Sequence, residues 1–381
     1  MIKRENYLRQ IHEAFESHSI CAILGPRQCG KTTLAKLYAQ SLDIVHFFDL
    51  ENPQNLNMLA SPSITLPPLE GTIVIDEIQR RPDLFPYLRF LVDNSDKKIL
   101  ILGSASQELI HQSSETLAGR IAYIELPPFQ CNEIDNMHKH WVRGGFPKSF
   151  LAPSERQSEK WRINYIKNFL ERDLAMLGQQ IVTANMRRLW SMLAHYHGQI
   201  ANISELSRSL GITDKTIKRY TDILEGCFMI RQLKPWFENL SKRQIKRSKL
   251  YIRDSGILHT LLGASERTIL THPKCGASWE GYALENLIHS FDNDLYEFYF
   301  WSTEKGAELD LLVIRGEQRL GYEFKYSETP KITKSMHIAM EDLQLDYLTI
   351  ITPGTSSYQL SEQVKVETLK DAMNKVILSR L

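Results

Sequence analysis

The run Gly25-Pro26-Arg27-Gln28-Cys29-Gly30-Lys31-Thr32, followed by Thr33, sets two glycines, a lysine and a hydroxyl at the spacing of a phosphate-binding loop. Gly25 and Gly30 let backbone N–H groups turn around a pyrophosphate, which then rests on the positive end of the helix that follows. Lys31 would reach the β- and γ-phosphates, while the Thr32 hydroxyl would ligate Mg²⁺. Some 45 residues on, Asp76-Glu77 closes the apolar run Thr72-Ile73-Val74-Ile75. In a parallel sheet the C-terminal strand ends open at the ligand crevice, so this acidic pair is expected beside the loop. Asp76 would hold Mg²⁺ through water, and Glu77 would polarise the water that attacks the γ-phosphate.

Two further positions could serve the same reaction. The apolar run 98–102 delivers Gly103-Ser104-Ala105-Ser106, where Ser104 or Ser106 could sense the γ-phosphate or simply cap a helix. Arg120, at the end of Leu117-Ala118-Gly119-Arg120, could stabilise charge on the γ-phosphate, in its own subunit or in a neighbour. Its competing role is an ion pair with a nearby carboxylate.

The C-terminal third carries a second set of charged residues. Runs 295–301, 308–315 and 319–326 read as strands, with Gly316-Glu317 as a two-residue turn between the last two. That turn sets Asp310 opposite Glu323, and alternation puts Lys325 on the face of Glu323 and Glu308 on the face of Asp310. Facing carboxylates demand a compensating cation. A divalent metal held by Asp310 and Glu323, with Lys325 activating water, is the pattern of PD-(D/E)XK nucleases. The alternative is that Lys325 neutralises both acids as a structural ion pair.

These groups need elements to position them. The apolar run 20–24 precedes the loop as a strand and residues 33–41 follow it as a helix; 72–75, 98–102 and 121–126 supply further strands. Residues 154–197 read as helical, with Trp161, Tyr165, Phe169 and Leu170 as a packed face. A short helix from Ile203 ends at Gly211, and Thr213 caps a second helix that shows Lys215, Lys218 and Arg219 outward and Ile217, Tyr220 and Leu224 inward. Strand-like runs 228–233 and 249–253 follow, joined by a loop carrying Lys242, Arg243, Lys246 and Arg247. Helix, turn, helix and basic loop make a winged helix, and the loop would contact DNA phosphates or else pack as a lid.

With 381 residues, a net charge of +1 and 43% hydrophobic content, the chain reads as a multidomain globular protein. The five cysteines (Cys21, Cys29, Cys131, Cys227, Cys275) lack CxxC spacing, which argues against zinc and disulfides and for a reducing compartment. No stretch has the length and apolarity of a membrane span, so a cytoplasmic, unanchored chain is expected.

Residues 25–33, Ile73-Val74-Ile75-Asp76-Glu77-Ile78-Gln79, Gly103-Ser104, 117–120, Gly144-Gly145-Phe146-Pro147 and 165–174 resemble, in order and spacing, a prokaryotic family of AAA-type ATPases. Its members carry a C-terminal domain of unknown function with a restriction-endonuclease-like fold. Ala105 departs from the family, where a second serine is usual. The resemblance implies ATP hydrolysis, and it assigns Glu280, in Trp279-Glu280-Gly281-Tyr282, as a helix-borne acid completing a metal site with Asp310 and Glu323. The expected class is α/β: an AAA-type ATPase domain (1–137), a helical lid (138–198), a winged helix (199–262) and a nuclease-like α/β domain (263–381). The expected function is an ATP- and Mg²⁺-dependent protein acting on DNA, with a homo-oligomer as a candidate assembly. The alternatives are a regulatory switch with an inactive nuclease-like domain that binds proteins, and an ATP-gated, metal-dependent nuclease.

Overall fold

The computed structural model describes residues 2–104, 116–175, 181–237, 247–292 and 294–379. The chain forms two compact units, Met1–Phe129 with Gly226–Phe228, and Gln130–Glu225 with Met229–Leu381. The segments expected from residue 138 onward therefore all fall in the second unit, apart from Gly226–Phe228. No helix among the described residues is long and apolar enough to cross a membrane.

The first unit is built on a five-stranded sheet: β1 Ile20–Leu24, β2 Val45–Asp49, β3 Thr72–Asp76, β4 Lys98–Gly103 and β5 Ile121–Glu125, in the order β2-β3-β4-β1-β5. Every pairing is parallel. Because side chains alternate along each strand, Ile20, Ala22, Ile73, Ile75, Ile99 and Ile101 enter one core, and Cys21, Ile23, Val74, Leu100 and Leu102 enter the other. This two-sided burial explains why β1 and β3 read as unbroken apolar runs. One face is covered by helix α5, Phe85–Asp93, and the opposite face by α1, Glu5–Ser17, and α2, Lys31–Ala39. Two short helices, α3 Pro53–Met58 and α4 Pro62–Thr65, lie between β2 and β3. Helix α2 starts two residues earlier than expected, because Gly30, at φ 108°, is already its N-cap.

The second unit begins with α6 Met137–Arg143, α7 Pro147–Phe150 and α8 Glu155–Asn168, whose N-cap Ser154 accepts from Gln157 N–H. Next come α9 Thr183–His195, β6 Gln199–Ile200, α10 Ile203–Leu210, α11 Asp214–Gly226, β7 Ile230–Leu233, β8 Lys249–Ile252 and α12 Ser255–Leu262. The strands β6-β8-β7 form a small antiparallel sheet. Gly211, at φ 67°, closes α10, and Thr213 Oγ1 accepts from Thr216 N–H at 3.2 Å to start α11.

The remaining residues form a six-stranded sheet ordered β13-β14-β12-β11-β10-β9. Its strands are β9 Glu297–Ser302, β10 Glu308–Arg315, β11 Gln318–Phe324, β12 Tyr347–Thr352, β13 Tyr358–Gln359 and β14 Val364–Thr368. Helices α13 Cys275–Ile288 and α15 Leu369–Leu378 bury Trp279, Leu287 and Met373 in the core that holds Leu311, Val313 and Phe324. Helix α14, Lys334–Leu343, packs Met336 and Leu343 with Leu312, Leu348 and Ile350 in a separate core. Leu311 pairs with Tyr322 and Arg315 with Gln318, which is the register the two-residue turn dictates.

Candidate functional site

The loop after β1 is shaped by close backbone approach. A Cβ on Gly25 would stand 2.2 Å from the Leu126 carbonyl oxygen, so this position admits no side chain. Gln28 and Gly30 both take positive φ, 62° and 108°. Lys31 is 6% exposed, and its Nζ donates to the carbonyls of Gly25 and Pro26, both at 2.9 Å. The loop's own carbonyls thus take the place that phosphate oxygens would fill as acceptors for this ammonium. Thr32 Oγ1 donates to Asp76 Oδ2 at 2.7 Å, so hydroxyl and carboxylate already converge. Burial pushes the Asp76 carboxyl above its ordinary value, against the Thr32 hydrogen bond.

Glu77 sits just past β3 at φ 58°, and Asp76 Oδ1 accepts from its N–H at 2.9 Å. The Gln79 amide links Glu77 to Ser104: its Nε2 donates to Glu77 Oε2 and, at 2.9 Å, to Ser104 Oγ. Gln79 Oε1 is buried without a partner among the described residues. Ser104 is therefore in contact with the acidic pair's own network, whereas Ser106 lies outside the described residues. Arg27 pairs with Glu51 at 3.1 Å, and Cys29 is buried in the core beneath the loop.

Arg120 occupies the other end of the same sheet. Ile121 pairs with Ile20 at the start of β1, while the loop begins after Leu24 at its end. At about 3.3 Å per residue the separation is about 16 Å, beyond the reach of an arginine side chain. A role for Arg120 at its own chain's loop is therefore excluded by strand register. Instead its Nε and Nη2 donate to Asp93 at 2.5 and 2.9 Å, the carboxylate pairing that competes with a catalytic role.

In the second unit the structure gathers Glu280, Asp310, Glu323 and Lys325, and it adds a lysine. Lys249, the first residue of β8, projects its Nζ to 3.5 Å from Asp310 Oδ1, 3.7 Å from Glu308 Oε2 and 3.8 Å from Glu280 Oε1. Lys325 Nζ stands 2.8 Å from Glu323 and 3.9 Å from Asp310. Tyr251 donates to Glu280 Oε1 at 2.6 Å, and Asp310 Oδ2 accepts from Phe324 N–H at 3.1 Å. Asp310 lies where β10 slips register against β9, between Leu309 and Leu312, an irregularity that re-aims the strand's side chains.

The electrostatics follow from burial and the shortage of positive charge. Burial drives Asp310 upward, yet Lys249 and Lys325 hold its carboxyl below the usual range. Burial and then the Asp310 charge push Glu323 well above that range and Glu280 up to about 7. Lys249 stays charged: burial opposes its ammonium, but Glu280 and Asp310 raise it above the ordinary lysine value. Among the described residues no three acids, histidines or cysteines are disposed to hold a metal ion. Glu280 and Asp310, which the resemblance assigns to a metal, stand within 4 Å of the Lys249 ammonium, and Glu323 pairs with Lys325. Lysine nitrogens supply the compensating charge.

On α11, Lys215, Lys218 and Arg219 are exposed while Ile217, Tyr220 and Leu224 are buried. Arg247 is exposed, and Lys242, Arg243 and Lys246 lie outside the described residues. Reading residue types alone missed Lys249 and Gln79 as participants. The signal for Lys249 is a charged residue opening a four-residue strand that is buried throughout; for Gln79 it is the proximity to Asp76-Glu77.

Residues 17–135 match the AAA domain family, residues 134–268 a domain of unknown function (DUF8612) and residues 275–371 a second domain of unknown function (DUF4143). An uncharacterized protein of Mycobacterium tuberculosis is 45% identical over 369 residues, covering 96% of this chain and 83% of that protein, and one of Mycobacterium bovis matches equally. An uncharacterized protein of Haemophilus influenzae is 24% identical over 323 residues, covering 76% of this chain and 78% of that protein. Among solved structures, the Walker-type ATPase of Pyrococcus abyssi aligns with a TM-score of 0.49 at 15% identity, over 69% of this chain and 96% of that one. AMPPCP-bound DnaA from Aquifex aeolicus aligns with a TM-score of 0.30 at 13% identity, over 59% and 88%.

Proposed function

The chain belongs to the family of these mycobacterial relatives and contains an AAA-type P-loop ATPase domain; from that premise we propose that it binds and hydrolyses ATP and uses the nucleotide state to act on DNA. The observation that carries this reading is the linked set Lys31–Gly25/Pro26, Thr32–Asp76 and Glu77–Gln79–Ser104. Lys31 leaves the two loop carbonyls and takes phosphate oxygens, a swap between acceptors of similar placement. Thr32 and Asp76 are the oxygen donors that would hold Mg²⁺, which binds few protein ligands and keeps water and phosphate for the rest. When bound, that ion neutralises charge on the phosphates. Glu77 then orients and deprotonates the attacking water, and Ser104 reports on its position through Gln79.

Arg120 serves in this reading as a finger into a neighbouring copy, released from Asp93 on assembly. The order α9, β6, α10, α11, β7, β8 supports the winged-helix reading, in which the exposed Lys215, Lys218, Arg219 and Arg247 would supply the phosphate-facing surface. Turnover should rise with duplex, branched or single-stranded DNA at low salt and lose that response as salt increases. ATPase assays with each DNA at graded salt, on wild type and Lys218→Ala/Arg219→Ala, test it. If DNA neither binds at low salt nor alters turnover, the nucleic-acid reading fails. A regulatory switch whose C-terminal domain binds protein is a second reading, favoured by the lysine buried among the acids of that domain.

A further inference from the structure

The acids of the second unit lie one on a helix (Glu280) and two on adjacent strands (Asp310, Glu323), the residues to which the resemblance assigns a metal. A divalent ion would have to stand within reach of the Asp310 and Glu280 carboxylates. That space holds the Lys249 ammonium, which lies within 4 Å of three carboxylates at once. The lysine does not arrive from the sheet that carries the acids. It comes from β8, the central strand of the small sheet β6-β8-β7, and its side chain is 6% exposed against 40% for Lys325. Tyr251, two residues on, faces the same way and donates to Glu280, so β8 is fastened to the acids at two points.

A buried ammonium requires acceptors, and buried carboxylates require a cation; each is costly alone. Here the two needs are met by one contact. We propose that Lys249 is the resident cation of this centre: it takes the position a divalent metal would occupy, latches the small sheet to the C-terminal domain, and excludes metal for as long as β8 is seated. Glu280, Glu308 and Asp310 then hold the latch, and Lys325 is the more exposed lysine, paired with Glu323. This inference does not depend on ATP hydrolysis. It concerns residues of the second unit alone.

The test uses the full chain carrying Asp76→Asn, so that the nucleotide loop contributes no divalent ion, without nucleotide. Free Mn²⁺ is followed by electron paramagnetic resonance, and melting temperature is recorded at each Mn²⁺ concentration. With Lys249 in place, no Asp310-dependent Mn²⁺ should bind and the melting temperature should not move. Lys249→Ala should gain one Mn²⁺ per chain and a melting temperature that climbs with Mn²⁺, and adding Asp310→Asn should abolish both. Lys249→Met, which keeps the apolar stem, repeats the measurement should the alanine variant not fold. Mn²⁺ bound through Asp310 while Lys249 is present overturns the proposal, as does a folded Lys249→Ala or Lys249→Met chain that gains no ion.

Discussion

The two units each bring a buried lysine to a site rich in oxygen, and the identity of the acceptors separates them. Lys31 is held by two neutral backbone carbonyls, whereas Lys249 is held by three carboxylates. A neutral acceptor is given up easily when a phosphate arrives, since the ammonium gains a charged partner and leaves none stranded. Withdrawing Lys249 strands buried negative charge. One site is therefore poised for a ligand, and the other already contains its cation.

The contrast is tested most severely by truncating each lysine. Lys249→Ala leaves uncompensated buried carboxylates and should cost about 3–5 kcal/mol of second-unit stability, measured by urea unfolding, while Lys325→Ala, whose side chain is 40% exposed, should cost about 1 kcal/mol or less. An equal cost for the two would erase the distinction between latch and rim. Lys31→Ala should lower kcat/KM for ATP by on the order of a hundredfold to a thousandfold, about 3–4 kcal/mol, with little change in unfolding.

Acid sensitivity adds a second way to separate the units. His259 is buried, bonded to the Val142 carbonyl at 3.0 Å and to Ser278 Oγ at 2.7 Å, and burial holds its pKa down to about 4 from an ordinary 6.5. The folded form resists a proton that the unfolded chain accepts, so stability is full above pH 6.5 and is lost as pH falls toward about 4. The loss reaches about 3 kcal/mol for this group. Buried His197, pulled down to about 3 by burial, adds a term of the same sign. His259→Gln should flatten the second unit's acid profile between those limits; an unchanged slope in pH-dependent denaturation would remove His259 from the account. The smallest effect belongs to Asp93→Ala: loss of this exposed pair with Arg120 should leave thermal melts almost unchanged, while Arg120→Ala suppresses turnover only if a neighbouring copy uses it.

The loop and the strands that carry it in the first unit could be read from the sequence, because they are local in the chain. Gly25 to Thr32 is contiguous, and β3 must end at Asp76 where the crevice opens. The hairpin register was equally accessible, since a two-residue turn leaves no freedom in pairing Leu311 with Tyr322. Lys249 was not. It reaches Asp310 across 61 residues and from another sheet, and neither periodicity nor spacing encodes such a contact. Arg120 shows the converse: its neighbours suggested a place near the nucleotide, but strand direction puts it at the far end of the sheet.

The most direct measurement is calorimetric titration of Mg·ATP into wild type, Lys31→Ala and Lys249→Met. The account predicts one nucleotide per chain in the wild type, the same in Lys249→Met, and no detectable heat from Lys31→Ala at the same concentrations. Absence of heat in the wild type, or binding that survives the loss of Lys31, would contradict it.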